Sequence, residues 1–279
     1  MKGPRLDGVR WESDVSSGMW IVEGVRDFDY DVGSLVPPSF EAFARVFHPA
    51  SRQLRSDEPH EGARQLGILP FAEWHQDVRW ATVAKANGRV AHPAMEWASL
   101  IGTWDTHRSD DPALWDRSPE EGSLSPGDVA SLAVILASHT ETPQDCWFGV
   151  WIGYGDIGSG DYQGSTLPMS PDRSMMLFSG PVLAATTNFG RDRWMPRSAS
   201  LWWPRDRAWC VATDVDLRST YIGASERCVH DIVSSPELEA MRVSADQTLT
   251  ADTDTVNPRH RAATTTKPAK ATHEAVLGA

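Results

Sequence analysis

The sequence predicts an α+β protein in which a helical first half is followed by an antiparallel β-sheet and a closing helix. Apolar residues recur at helical spacing in several segments before residue 140, and from Cys146 onward the pattern changes to a period of two. Helices and strands that occur in separate runs, instead of strict alternation, are typical of this class.

Three of the five predicted helices precede residue 102. The segment PPSFEAFARVF has apolar residues at i, i+3, i+4 and i+7, which predicts a short amphipathic helix. These residues are Phe40, Phe43, Ala44 and Phe47. A second helix is predicted over Phe71 to Asn87, where Gly88 follows to end it. A short third helix is predicted from Pro93 through Ile101.

The fourth helix has the clearest local signal, in LSPGDVASLAVILA. Ser125 is placed to cap the helix, Pro126 occupies its first position and Asp128 completes a variant of the capping box. Buried apolar positions then follow at helical spacing, and the segment TETP ends the helix.

The second half predicts strands. CWFGVWIGY and MMLFSG each form one strand, and LWWPRDRAWCVATDVDL forms a hairpin with its turn at residues 204–207. STYIG adds a third strand to that meander. SERCVHDIV is the predicted closing helix, with Ser225 as its cap.

Composition divides the chain into three parts. All 13 tryptophans lie at or before Trp209, and from residue 244 the chain is rich in Thr, Ala, Asp and Pro without any aromatic residue. We therefore expect an N-terminal extension over 1–14, one globular domain over 15–243 and a disordered tail over 244–279. Deleting that tail is expected to leave thermal stability almost unchanged.

Charge and apolar content limit the classes of partner. The chain carries 26 basic and 38 acidic residues, a net charge of -12, which disfavours nucleic acid and anionic membranes as partners. No apolar run is long enough for a membrane span, and the first residues lack the apolar core of a signal peptide. Three widely spaced cysteines, Cys146, Cys210 and Cys228, fit reduced thiols, so we expect a cytoplasmic protein.

A glycine motif after the first strand resembles a dinucleotide fingerprint. Gly153, Gly155 and Gly158 have the spacing GxGxxG, but the residues that follow are rich in Gly, Ser and Pro and predict no helix. The sequence therefore predicts a flexible loop and no cofactor. Three residues of this loop are candidate binding residues, namely Asp156, Asp161 and Tyr162.

Asp214 and Asp216 are the candidate catalytic residues. Two residues apart in a predicted strand, they share one face, where paired carboxylates can act together or hold a divalent ion. No third ligand lies nearby in the sequence, so no metal is assigned, and an ordinary outward-facing polar pair is the alternative. Three histidines are possible general bases, but no catalytic motif contains them, and structural roles are favoured: His48, His92 and His139.

The tryptophans indicate either a large core or a binding face. Trp202 and Trp203 point to opposite faces of a strand, so at least one is expected to be exposed, and both are candidate binding residues. Trp147 and Trp151 share a face with Gly149 and Gly153, which leaves room for a ring to lie across a glycine.

Several segments resemble a set of tryptophan-rich actinobacterial hypothetical proteins. They are VPPSFEAFARVFHPA, HTETPQDCWFGVWIGYG, FSGP and LWWPRDRAWCVATDVDLRSTYIGAS, and the likeness spans most of residues 36–240. In outline, the helix and following sheet are similar to the SUKH superfamily of immunity and interaction proteins. The first resemblance supports the domain limits, and neither implies catalytic residues.

Two functions follow as hypotheses. The first is a cytoplasmic binding module that contacts a protein or a small molecule through a tryptophan-bearing face of its sheet. The alternative is a hydrolase or transferase that uses Asp214 and Asp216, with an optional divalent ion, beneath the loop from Gly153 to Gly164.

Overall fold

The computed structural model describes residues 6–27, 30–54, 75–155, 157, 164–192 and 196–257. Ten strands form the body: β1 Arg10–Glu12, β2 Ala42–Phe47, β3 Ala50–Gln53, β4 His75–Val78, β5 Cys146–Trp151, β6 Met175–Gly180, β7 Leu201–Pro204, β8 Cys210–Ala212, β9 Ser219–Ala224 and β10 Ala240–Val243. Eight of them make one sheet in the order β1-β6-β5-β7-β8-β9-β2-β10, and β3 pairs with β4 separately. Every one of these pairings is antiparallel.

Helices lie between the strands along the chain. They are α1 Met19–Gly24, α2 Trp80–Ala86, α3 Trp97–Ile101, α4 Pro126–Ala137 and α5 Glu226–Val233. Short 3-10 helices occupy Ser16–Gly18, Val32–Ser34 and Val182–Thr186. No helix in the described ranges combines the length and the apolar composition that crossing a membrane requires.

Apolar cores lie on both faces of the large sheet. On one face, α4, α5 and the 182–186 helix cover side chains that include Phe148, Trp202 and Val211. On the other face, α1 and the 32–34 helix cover Trp203 and Tyr221. A third cluster joins α2 and α3 to the end of β2 around four aromatic rings, those of Phe47, Trp80, Trp97 and Trp115.

The predicted helical first half is wrong, and β2 shows the reason. The segment predicted as a helix over Phe40 to Phe47 forms β2, which pairs with both β9 and β10 inside the sheet. All six β2 residues are buried because cores cover both faces, so the strand is apolar on both sides and its pattern also fits a helix.

The second predicted helix is only partly correct. Within Phe71 to Asn87, residues 75–78 form β4, whereas α2 occupies Trp80–Ala86, and residues 71–74 lie outside the described part of the chain. The short helix predicted from Pro93 through Ile101 is present only in its second part, as α3, which begins at Trp97.

The later elements match the sequence patterns. The Ser125 side chain accepts a hydrogen bond from the Asp128 N–H and caps α4, and the Ser225 side chain accepts one from Cys228 N–H at α5. The strands β5, β6, β7 and β9 occur where the period of two predicted strands, whereas β8 ends at Ala212, before the aspartates that were placed in it, and β10 follows the helix that was predicted to close the fold. Local capping groups and strand alternation therefore specify this half directly.

Residues beyond the expected domain end pack against the body. Gly33 N–H donates to Ala245 O at 2.9 Å and Val32 N–H donates to Gln247 O at 3.0 Å. The Asn257 amide exchanges hydrogen bonds with the Val90 backbone at 2.8 and 2.9 Å. The boundary at residue 244 stays a prediction, and these contacts define how to test it.

Two truncated chains test whether the folded domain ends before residue 244 or includes the residues that follow. A chain that ends at residue 243 loses the hydrogen bonds of Ala245, Gln247 and Asn257, so we expect its free energy of unfolding to fall by about 2 kcal/mol. Because a domain of this size shifts its midpoint by a few degrees per kcal/mol, thermal denaturation should show a decrease of roughly 5 °C. A chain that ends at residue 257 is the control and should match the full chain. An unchanged midpoint for the shorter chain would support the boundary at 244.

Candidate functional site

The candidate catalytic carboxylates lie in a turn, whereas the sequence placed them in a strand. β8 ends at Ala212, and Leu217 N–H donates to Asp214 O at 3.1 Å to close the turn. Asp216 N–H donates to Asp214 Oδ1 at 3.0 Å. The Asp214 side chain is 8% exposed and that of Asp216 is 76% exposed, so the two carboxylates occupy different environments.

One arginine bridges both carboxylates. Arg173 Nε donates to Asp214 Oδ2 at 2.9 Å, and its Nη2 donates to Asp216 Oδ2 at 2.7 Å. Burial opposes the charged form of Arg173, but these hydrogen bonds outweigh it and raise its pKa. Among the residues that the structure describes, no three His, Cys, Asp or Glu side chains are grouped to hold a metal ion. The arrangement is an ion-pair cluster.

Trp151 lies beside this cluster, against the first glycine of the motif. A Cβ atom built on Gly153 would meet the Trp151 ring at 2.1 Å, so the expectation that a ring lies across this glycine is confirmed. The Arg173 guanidinium is 5.4 Å from the ring centroid, and Trp151 Nε1 donates to Asp172 O at 2.9 Å. Contacts with Gly153, Arg173 and the Asp172 carbonyl therefore hold the Trp151 ring in place.

Tyr154 anchors the start of the glycine-rich loop. Its hydroxyl donates to Gly122 O at 2.9 Å, and the Arg197 guanidinium lies 3.9 Å from its ring centroid. Gly122 has φ +73°, and a Cβ there would meet the Tyr154 hydroxyl at 2.7 Å, so this contact requires glycine. Gly122 N–H also donates to Leu217 O at 2.9 Å, which ties the loop to the turn that carries the carboxylates.

The structure thus places the start of the glycine-rich segment, Gly153 and Tyr154, beside the turn that carries Asp214 and Asp216. The charged groups and rings of the described part of this cluster are paired with one another. The three candidate binding residues of the loop, Asp156, Asp161 and Tyr162, lie outside the described residues, as does Gly158. The described residues Trp151, Gly153 and Tyr154 fix the first turn of the loop.

The candidate binding tryptophans are in the cores. Trp202 and Trp203 do point to opposite faces, but they are 3% and 1% exposed, so the expected exposed ring is at neither position. Trp202 packs edge-on against Trp209 with centroids 5.4 Å apart, and Trp203 stacks with Trp147 at 6.2 Å. Both side chains contribute apolar burial and offer no surface to a partner.

His48 forms a buried chain of hydrogen bonds. Its Nδ1 lies 2.7 Å from Glu120 O and therefore carries the proton, so its Nε2 accepts from Thr220 Oγ1 at 2.9 Å. Thr213 Oγ1 lies 2.7 Å from Thr220 Oγ1. Burial lowers the pKa of His48 to about 4, which keeps the ring neutral. The order of groups resembles nucleophile, base and orienting carbonyl, but His48, Thr213 and Thr220 are buried from any substrate.

The other two histidines each pair with a carboxylate. His92 Nε2 lies 2.9 Å from Asp254 Oδ1, and His139 Nε2 lies 2.8 Å from Asp231 Oδ2. Asp254 also accepts hydrogen bonds from the backbone N–H groups of Glu96 and Asn257. These contacts join segments that are distant along the chain, which supports structural roles for both histidines.

Sequence reasoning missed Arg45, the buried cation of β2. Its side chain is only 3% exposed. It donates to Ser219 Oγ at 2.9 Å, to Met95 O at 3.0 Å and to Glu96 Oε1 at 3.0 Å. The guanidinium also lies 4.6 Å from the Phe47 ring centroid. A helix over this segment would have placed Arg45 away from the apolar stripe, and no local signal indicated its burial.

A carboxyl group with a strongly shifted pKa was also missed. Burial and the nearby charge of Asp77 raise the pKa of Asp128, at the beginning of α4, to about 7. Glu239 lies in the same acidic neighbourhood and accepts backbone hydrogen bonds from Trp80 at 2.6 Å and Ala81 at 2.7 Å. The sequence identified Asp128 only as a capping residue, because Asp77 and Glu239 are remote along the chain.

The outward side of α4 is uncharged and partly apolar. After Asp128 the helix contains no charged residue, and Val134 is 64% exposed. The 182–186 helix packs beside α4 and exposes Leu183 to 55%. We call Pro126, Ala130, Val134 and Leu183 the α4 surface; all four are exposed.

Comparisons of the chain with protein-family models, with curated proteins and with solved structures found no match. A functional interpretation of this chain therefore draws on the geometry of the structure.

Proposed function

We propose that the chain is a cytoplasmic protein-interaction module whose partner packs on the α4 surface. The exposed Val134 and Leu183 side chains carry this proposal, because they lie on two adjacent elements. Exposed apolar side chains on neighbouring elements are a feature of protein-binding surfaces. The three cysteines are free and buried, which supports a reducing compartment.

The burial of the sheet favours this surface over a tryptophan-bearing sheet face. Apolar clusters cover both faces, and Trp202 and Trp203 lie inside them. A partner that packs on α4 needs no rearrangement of the core. The surface is formed by exposed side chains of two helical elements, which suits a protein partner.

The hydrolase or transferase alternative has weaker support. Arg173 already satisfies Asp214 with two hydrogen bonds, at 2.9 and 3.4 Å, and holds Asp216 with a third. A metal ion or a reacting group would have to displace this arginine. The net charge of -12 likewise disfavours phosphate-rich substrates and nucleic acid.

Site-specific photocrosslinking in living cells tests the interaction surface. A photoreactive amino acid replaces Ala130 on α4, and in a control chain it replaces Val90, which is 55% exposed elsewhere on the protein. We expect a discrete crosslinked product from position 130 and none from position 90. Adding Val134→Asp should remove the product, because a carboxylate in an apolar contact is costly to desolvate. No product at position 130, or equal products at both positions, would contradict the proposal.

A further inference from the structure

We infer that Asn87, the residue directly after α2, is a site of spontaneous deamidation, and that the product loosens the contact between α2 and α3. This inference does not depend on the proposed function. It rests on the residue that follows Asn87, on the exposure of both residues and on the partner of the Asn87 amide.

Gly88 leaves the Asn87 amide accessible to the backbone. Both residues are exposed, and a Cβ atom built on Gly88 has no atom within 4 Å beyond its chain neighbours. Gly88 has φ +63°, the left-handed conformation that commonly follows a helix. Because glycine has no side chain, nothing hinders the approach of the Gly88 nitrogen to the Asn87 side chain.

The reaction uses only groups of this chain and water. The Gly88 backbone nitrogen loses its proton to solvent and attacks Cγ of Asn87, so that an N–Cγ bond forms. The Cγ–Nδ2 bond breaks, and the side-chain nitrogen takes up a proton and leaves as ammonia, which gives a cyclic succinimide. Water then opens the ring to aspartate or isoaspartate, without an oxidant or a reductant.

The end of α2 must open before this ring can close. In the folded chain Gly88 N–H donates to Lys85 O at 3.2 Å, and Asn87 Nδ2 donates to Leu100 O at 3.0 Å. The Asn87 ψ of 9° also turns the Gly88 nitrogen away from the Asn87 side chain. Helix ends fray without global unfolding, so a local opening is sufficient. We therefore expect deamidation in the folded chain, at a lower rate than in the unfolded chain.

The two other asparagines of the chain lack this combination of features. Asn188 precedes Phe189, and its side chain makes three hydrogen bonds to the backbone, each at 2.9 Å. Asn257 is 2% exposed and precedes Pro258, whose nitrogen carries no hydrogen. Both residues therefore serve as controls within the same molecule.

The product changes the contact between α2 and α3. Leu100 lies in α3, and its carbonyl oxygen accepts the Asn87 amide hydrogen bond. A carboxylate accepts hydrogen bonds and donates none, so this bond is lost and two oxygens face each other instead. Trp80 of α2 and Trp97 of α3 pack with ring centroids 5.4 Å apart. The lost bond therefore borders the third core cluster, which joins the two helices.

Incubation of the folded full chain in mildly alkaline buffer, followed by peptide mass spectrometry at intervals, tests the inference. We expect the mass gain of an amide converted to an acid at Asn87, about tenfold faster than at Asn188, since only the Gly88 nitrogen is unhindered. The rate should rise with pH, because the attacking nitrogen must lose its proton. In the matched variant Asn87→Gln, whose longer side chain requires a larger ring, the mass gain of the intact chain should almost disappear.

A second variant measures the consequence for the fold. Asn87→Asp carries one product side chain from the start, and we expect its thermal midpoint to fall by roughly 2–4 °C, the effect of one lost hydrogen bond. Asn87→Gln keeps an amide donor and should lose less.

Three results would overturn the inference. In the first, Asn87 stays intact in the folded chain but converts in the chain unfolded in urea, which would show that the fold blocks the reaction. In the second, Asn87 and Asn188 convert at equal rates. In the third, Asn87→Asp has the midpoint of the wild type, which would show that the product leaves the contact between α2 and α3 unchanged.

Discussion

Replacing Arg45 with methionine is expected to lower the free energy of unfolding by about 3–5 kcal/mol, because it removes one partner of a buried ion pair. The guanidinium is 3% exposed and bonds Glu96 Oε1 at 3.0 Å. Methionine keeps most of the apolar stem, so the loss reports the charged group. It leaves the Met95 and Pro93 carbonyls without their donor and the Glu96 carboxylate without its cation.

Urea denaturation of Arg45→Met against Arg242→Met measures this effect. Arg242 lies in the neighbouring strand β10 and pairs with Glu226 on the surface, where both side chains are well exposed. An exposed pair contributes about 0–1 kcal/mol, so the control should lose little. Adding Glu96→Gln to Arg45→Met should recover part of the loss, since it removes the uncompensated buried charge. Equal losses in the two single variants would show that the buried network contributes no more than a surface pair.

Arg45 also explains why the first half of the fold could not be predicted from the sequence. The residues that surround it, Ser219, Pro93 and Glu96, are all more than 40 positions away along the chain. Without those partners, an arginine in an apolar segment indicates a solvent-facing position, which a helix supplies. The later half was predictable because caps such as Ser125 and Ser225, and the alternation in β5, act within a few residues.

The candidate site also combines a local contact that the sequence predicts with tertiary contacts that it does not predict. The contact of Trp151 with Gly153 is local and was expected from strand alternation. The neutralisation of Asp214 depends on Arg173, which lies 41 residues earlier in a different segment. The burial of Trp202 and Trp203 likewise depends on layers that only the full topology provides. Sequence spacing therefore predicted the local contact of Trp151 with Gly153, whereas the charges and the exposure that decide the chemistry of the site are set by tertiary contacts.

The second large expected effect is on the pH dependence of stability and involves Asp128. The direction of this dependence follows from the protonation of its carboxyl group. Its ordinary pKa is 3.8, and the folded protein raises it to about 7. Between these values the native state binds more protons than the unfolded state, so stability falls as the pH rises. The penalty is absent below about pH 4 and complete above about pH 7. Asp77 and Glu239 oppose the charged form, while Ser125 and Arg79 favour it.

We expect Asp128→Asn to stabilise the protein by about 2 kcal/mol at pH 8, a figure below the roughly 4 kcal/mol that the full shift implies, since Asp128 is only partly buried. The gain should shrink toward zero at pH 4, where the native carboxyl is already neutral. Asp77→Asn is the matched variant, because removing that charge should lower the pKa of Asp128 and move the transition to lower pH. Urea denaturation at intervals from pH 4 to pH 8.5 measures the difference from wild type. A difference in unfolding free energy that stays constant over this range would show that ionisation of Asp128 does not oppose folding. A difference that grows with pH would tie the stability of the α4 N-terminus to the protonation of this one carboxyl group.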